Sequence, residues 1–416
     1  MPPNRKREWV FCSLVLLAMM SGDVLDAEEP TITLGPEEIA VPVDHWTLIT
    51  TAPDSSIPMV KIGDRFHVFT WGGVLVRPGE QRTGDSFCEE LEGGTYCDGI
   101  VRLTGRTLDA LRFDPFDRTQ NTPVAVYRRP PVGPQDSRPH FSDMWPMGVY
   151  YDKELKELLI FDASDDRVNR DPTTGWYGTG GWYGTGELLI SQDSGRSFQR
   201  GGRILEPPIR IEEWQRRREE FNVYGITHSV ATVSPDGHYI YLYFSWLDEP
   251  SGKVGLAVAR SKIDGKETGR PGTWFYSKDG RFGEPGLGGE PDILIGGINS
   301  FHVSYNTYLK RYSLIGTTWG LPLQERGYSW YTSTDGITWA SHGMFWRVNN
   351  DFDQPGLPPA VVFPTVFSPE SEWDGITTQH NYLYYAYVPD HDNNPGYREL
   401  RRRRLSFTKE VTGLTP

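Results

Sequence analysis

Five stretches of the chain repeat one pattern: an alternating apolar/polar run, a short turn, then a second run rich in aromatic and β-branched residues. The first, Pro58–Trp71 (PMVKIGDRFHVFTW), hinges at Gly63-Asp64. The others are Trp145–Ser164, His228–Trp246 with its Pro235-Asp236-Gly237 turn, Phe301–Trp319 and Ala360–Val388. Period-two alternation broken by turn residues predicts antiparallel hairpins, because successive side chains of a strand point to opposite faces. Further strand segments follow at Gly186–Phe198, Gly255–Lys262, Tyr328–Trp339 and Arg398–Phe407. Helical periodicity is confined to Arg210–Phe221. A hairpin cannot bury both faces alone, so units recurring every roughly sixty to ninety residues are expected to stack radially. The expectation is an all-β fold, a five-bladed β-propeller whose innermost strands line a central channel. A strand near Trp46–Thr51 would complete the last blade. Two stacked sheets are the alternative arrangement of the same strands.

Composition narrows the organisation. Glycine (45), proline (32) and aromatics run from end to end with no Pro/Ser-rich linker, so residues 28–416 read as one domain. Residues 1–27 read as a signal peptide: Arg5, Lys6 and Arg7 precede an apolar stretch from Trp9 to Met20, and Leu25 and Ala27 flank a cleavage point. An uncleaved anchor is the alternative, but the apolar run is shorter than a membrane span requires. The expected location is therefore secreted or periplasmic. In such an oxidising compartment Cys88 and Cys97, the two cysteines left after cleavage, are expected to close a surface loop as a disulfide. A metal pair would need further ligands, which the neighbouring sequence lacks.

The signal carries as many acidic as basic residues, so the net charge stays at -13 after its removal, which disfavours nucleic acid and anionic lipid as partners. A monomer is expected. The run Arg401–Arg404 is read as the solvated edge of a strand. No GxSxG elbow, P-loop or dinucleotide fingerprint is present, which leaves acyl, phosphoryl and hydride transfer without support.

Two turns carry more specific information. Ser191–Phe198 (SQDSGRSF) matches the Asp-box pattern, and Ser333–Trp339 (STDGITW) is a shortened form. These turns resemble those of sialidases and other carbohydrate-active propellers, where they sit on the rim and mark the fold. The tandem GWYGTG copies, Gly175–Gly180 and Gly181–Gly186, offer either Trp-Tyr stacking platforms for sugar rings or a duplicated filler beside the second blade.

Asp54-Ser55-Ser56 before VKIGDRFHVF, Trp145-Pro146 and the STDGITW turn together resemble the five-bladed glycoside hydrolases of the arabinanase and β-xylosidase type. That family employs an Asp base in the first blade, an Asp that tunes pKa in the second and a Glu acid in the third. The resemblance implies a base at Asp54, two residues upstream of the matching slot, and a second carboxylate at Asp143. The third blade opens on Thr227-His228-Ser229 without a Glu. A related group of agar-oligosaccharide hydrolases can use histidine as the acid, so His228, His302 and Glu290 are the acid candidates. Glycosidic cleavage needs one protonated group at the leaving oxygen and one carboxylate opposite. Trp145, Trp176, Trp182 and Trp319 are candidate sugar platforms. No HxH or HExxH spacing supports a transition metal and no cofactor is expected, although a structural calcium ion on the axis is compatible with the sequence. The implied activity is hydrolysis of a plant or algal poly- or oligosaccharide. The alternatives are a carbohydrate-binding propeller without catalysis and, lacking a Phe-Arg-Ile-Pro motif, a sialidase.

Overall fold

The computed structural model describes residues 30–41, 55–76, 88–91, 94–113, 116–117, 122–123, 125–128, 140–168, 182–217, 223–248, 251–318, 321–350, 359–389 and 398–409. Most of them are strand, and the strands pair mainly antiparallel in runs that follow one another along the chain. These are numbered as five units, of which the second and third are joined by a parallel pairing into one ten-stranded sheet. Unit one runs Met59–Ile62, Arg65–Val76 and Gly94–Gly105, with Arg112–Phe113 outside. Unit two runs His140–Asp152, Glu157–Val168, Trp182–Ser191 and Gln199–Leu205. Unit three runs Val223–Val233, Tyr239–Asp248, Lys253–Lys262 and Trp274–Lys278. Unit four runs Ile298–Asn306, Arg311–Thr318, Gly327–Ser333 and Ala340–Arg347. Unit five runs Ala360–Phe367, His380–Val388 and Glu399–Lys409, and is completed by the N-terminal strand Pro30–Ile39.

That last pairing changes two expectations. The completing strand is Pro30–Ile39, upstream of Trp46–Thr51, which lies outside the described residues. Its Thr-Ile-Thr-Leu alternation puts Ile32 and Leu34 against the buried cluster around Leu405 and Phe407. Arg401–Arg404 is therefore not an edge, because this strand covers it on one side and His380–Val388 on the other. The charges are matched across the register. Arg401 pairs with Glu37 and Glu399, and Arg402, only 6% exposed, pairs with Glu38 and Asp109 while lying 4.4 Å from the Tyr382 ring.

Burial grades outward. The inner strands of units three and five are buried almost throughout, whereas the outer strand Ala340–Arg347 is largely exposed. Successive units meet through aromatic rings. Phe69 meets Phe198 edge-on at 5.6 Å, Phe161 meets Trp274 at 5.3 Å, and Tyr243 meets Trp339 at 5.9 Å. Trp346 meets Tyr385 at 5.1 Å and Phe66 meets Phe367 at 5.6 Å, which brings unit five back to unit one. Two of these rings end the Ser191 and Ser333 turns. Asp193 accepts hydrogen bonds from the backbone N–H groups of Arg196 and Ser197, each at 2.9 Å, and Asp335 does the same for Ile337 and Thr338. Among the described residues the one α-helix, Ile211–Arg217, places Trp214 beside Tyr183.

Candidate functional site

The inner strands break register at one level. Bulges fall between Pro146 and Gly148, Thr227 and Ser229, Ile298 and Ser300, and Val362 and Thr365. A bulge inserts an unpaired residue and re-aims its side chain. The inserted residues are Met147, His228, Asn299 and the Phe363-Pro364 pair. His228 (φ 42°) and Phe363 (φ 56°) both sit in the left-handed region, a strained backbone for bulky side chains. Such strain persists only where surrounding structure enforces it, and it clusters at functional sites.

The two strained residues face each other. Their rings stack at 6.3 Å with planes 14° apart, and the His228 ring meets Phe301 edge-on at 5.0 Å. His228 Nε2 lies 3.2 Å from Ser56 Oγ, 2.8 Å from the Phe301 carbonyl and 3.1 Å from the Phe301 N–H. One imidazole from unit three thus touches units one, four and five. Burial pulls it down to about 4, with the Phe301 hydrogen bond opposing. His302 is equally enclosed, with Nε2 3.2 Å from the Asp374 carbonyl, and burial with the adjacent His228 pulls it to about 3. The bulges match His228 with Asn299, and His302 sits further along its strand. Both rings are neutral near pH 7. They are suited to orienting neighbours, not to donating a proton.

Beyond the histidines, the short segment Ser371–Thr377, which connects two strands of unit five and pairs in parallel with unit four at Ile376–Thr377, crosses the centre. The Asp374 N–H donates to the Met59 carbonyl at 3.0 Å, and Trp373 bridges to Val60. Trp373 also meets Tyr150 of unit two at 5.7 Å. Thr232 of unit three donates its hydroxyl to the Gly375 carbonyl at 2.6 Å, and the Tyr305 N–H of unit four reaches the same oxygen at 2.9 Å. The Asp374 carboxyl, 2% exposed, accepts the Met59 N–H at 2.9 Å, and burial pushes it well above the usual carboxylate range. Further polar groups at the inner strands are Thr365, whose hydroxyl accepts the Ile57 N–H at 3.1 Å, and Ser55, whose hydroxyl accepts the Trp71 N–H at 3.3 Å. Arg398 is buried with its guanidinium 5.9 Å from the Phe363 ring, and desolvation pulls it to about 9.

The predicted residues divide. His228 and His302 come together at the centre. Asp54 lies outside the described residues, immediately before Ser55. Asp143 occupies the inner strand of unit two opposite Asp165, and its side chain lies outside the described set. Glu290 is elsewhere, in ion pairs with Lys253 and Lys278, and the Lys253 hydrogen bond holds its carboxyl below the usual range. A general acid needs the opposite shift, so Glu290 is set aside in that role. Trp145 is half-buried with its ring 6.0 Å from Trp71, and its Nε1 has no hydrogen-bond partner among the described residues. Trp176 and Trp319 lie outside the described residues, as does the Trp182 side chain. Cys88 and Cys97 stand directly opposite each other in an antiparallel register. Among the described residues no group of three or more His, Cys, Asp or Glu is arranged to hold a metal.

The second GWYGTG copy has a packing role. Its Gly184 pairs in parallel with Gly225, and a Cβ at Gly184 would lie 2.0 Å from the Ile226 carbonyl. Tyr183 of the same copy is buried and donates to the Ile209 carbonyl at 2.9 Å.

No family model and no curated protein matches the sequence. Solved structures similar to the chain include glycoside hydrolases. A family 117 glycoside hydrolase of the marine bacterium Zobellia galactanivorans is 10% identical, covers 93% of each chain and has a TM-score of 0.48. A thermostable family-43 glycoside hydrolase is 10% identical over 91% of this chain and 98% of that one, with a TM-score of 0.46. A Bacillus subtilis arabinanase is 11% identical over 86% and 96%, with a TM-score of 0.40. Likenesses of this size assign neither residues nor an activity to the chain.

Proposed function

We propose that the five units close as a five-bladed propeller and that the protein is a secreted glycoside hydrolase acting on a plant or algal poly- or oligosaccharide at the mouth of the axis. The observation that carries this reading is the meeting at one centre of Ser56, His228, Phe301 and Phe363, four residues far apart in the chain, with strained backbone at two of them. The aromatic contacts from each unit to the next, and from unit five to unit one, support the ring. Asp54 acts as base beside Ser55 and Ser56, Asp143 is the second carboxylate, and the neutral His228 orients the first unit through Ser56. Trp145 serves as a sugar platform next to Trp71. Export, removal of residues 1–27, a Cys88–Cys97 disulfide and a monomeric state belong to the same reading.

A carbohydrate-binding propeller without catalysis is the second reading. It is favoured by the two enclosed neutral histidines and the ion-paired Glu290, none of which is held ready to give a proton. A reducing-sugar screen over plant and algal polysaccharides separates the two. Turnover abolished by Asp54→Asn is the expected result. Saturable binding of a polysaccharide without release of reducing ends would overturn the enzyme reading.

A further inference from the structure

We propose that the buried Asp374 side chain is a latch: it fastens Ser371–Thr377 across the centre, and a negative charge placed on it loosens that segment from the four units it bridges. The fastening is concentrated at this residue. Its N–H and one carboxyl oxygen form a two-point clasp on the Met59 backbone, at 3.0 Å and 2.9 Å, while its carbonyl lies beside His302. The other oxygen, Oδ1, is buried and makes no well-formed hydrogen bond among the described residues, only the N–H groups of its own turn, Asp374 and Gly375, lying near the carboxyl. An anion there would be deprived of water on one oxygen, and a buried charge is tolerated only when paired or well hydrogen-bonded.

No cation compensates among the described residues. The titratable groups on the elements packed against the segment include Lys61, Tyr150, Tyr151, Asp152, His228, His302 and Tyr305, with Lys153 in the adjoining turn and Glu372 on the segment itself. Lys61 lies over the Phe66 ring at 5.3 Å, and Lys153 pairs with Glu372 at the surface. Both histidines are held neutral, and the Tyr150 hydroxyl is pushed upward by burial. Burial accordingly dominates Asp374 and raises its carboxyl. Opening the segment admits water, and the carboxyl then releases its proton. The opening constant therefore rises with pH wherever the closed form keeps a proton that the open form has lost.

The test is hydrogen exchange of the full chain, read by mass spectrometry on peptides covering residues 371–377 and 58–62. Rates for the wild type and Asp374→Asn are compared from pH 5 to 8 after correction for intrinsic exchange. The expected ratio of opening constants, wild type over variant, rises with pH, by up to about tenfold per unit while the closed form keeps its proton. The histidines are common to both proteins and cancel. A ratio independent of pH overturns the proposal. Should the variant fail to fold, the wild type is read alone between pH 7 and 8, where both histidines are largely neutral open or closed. A rise in segment opening, relative to residues 186–191 of unit two, supports the latch, and a flat profile overturns it.

Discussion

Replacing His302 by Gln measures how strongly the centre resists protonation. In the unfolded chain a histidine titrates near pH 6.5. In the folded protein His228 falls to about 4 and His302 to about 3, because burial withholds water from the charged form. A folded value below the unfolded one gives stability that is complete above the unfolded value and is lost as pH falls through 6.5 toward the folded value. At pH 5 the unfolded ring is about thirtyfold more protonated than not, while the enclosed ring remains neutral. Each histidine therefore withdraws about 2 kcal/mol of stability between pH 7 and pH 5, at 1.36 kcal/mol per unit. Asp374 acts in the opposite sense, since its raised folded value gives stability that is present in acid and lost as pH rises. Its contribution is common to wild type and variant and cancels in their difference. Urea unfolding at the two pH values, followed by tryptophan fluorescence, gives the comparison. The wild type should lose about 2 kcal/mol more than His302→Gln over this interval, and about 4 kcal/mol more than the double variant with His228→Gln. Equal losses in wild type and His302→Gln would refute the reasoning, because they would mean that the ring charges in place or is reached by solvent.

Two further outcomes follow from packing. Glu187 is fully enclosed and accepts hydrogen bonds from Arg200 at 2.8 and 3.0 Å and from Arg203 at 3.1 Å. Glu187→Gln should destabilise by about 2 kcal/mol in urea, below the usual cost of breaking a buried pair because both arginines are partly solvated, and a change under about 0.5 kcal/mol would contradict this. Gly184→Ala should cost at least about 2 kcal/mol by forcing a methyl into the Ile226 carbonyl. Gly283→Ala, with nothing within 4 Å, is the control, and equal melting temperatures for the two variants would count against the close approach.

The hairpins were legible because alternation and the Gly63, Asp236-Gly237 and Asp335-Gly336 turns are local signals that tertiary contacts reinforce. The arginine run was misread for a physical reason. Its partners Glu37 and Glu38 sit at the other end of the chain, and period two alone does not reveal which edge will be covered. The centre was half legible. His228 and His302 were marked as acid candidates by the resemblance, but the bulges at His228 and Phe363 depend on neighbouring units and leave no mark in the local sequence. Asp374 sits in Trp-Asp-Gly, which reads as an ordinary turn. Its burial comes from the four units around it, contacts that no window of sequence contains.

The partnership of Pro30–Ile39 with Glu399–Lys409 joins hydroxyls of Thr31 and Thr408 separated by 377 positions. Domains ordinarily acquire structure from the amino end as they emerge during synthesis. Here Pro30–Ile39 gains its mate only once Glu399–Lys409 has been synthesised, so this sheet is completed after the strands between them have been made. A chain shortened before residue 399 would leave Pro30–Ile39 and one side of His380–Val388 without their neighbour.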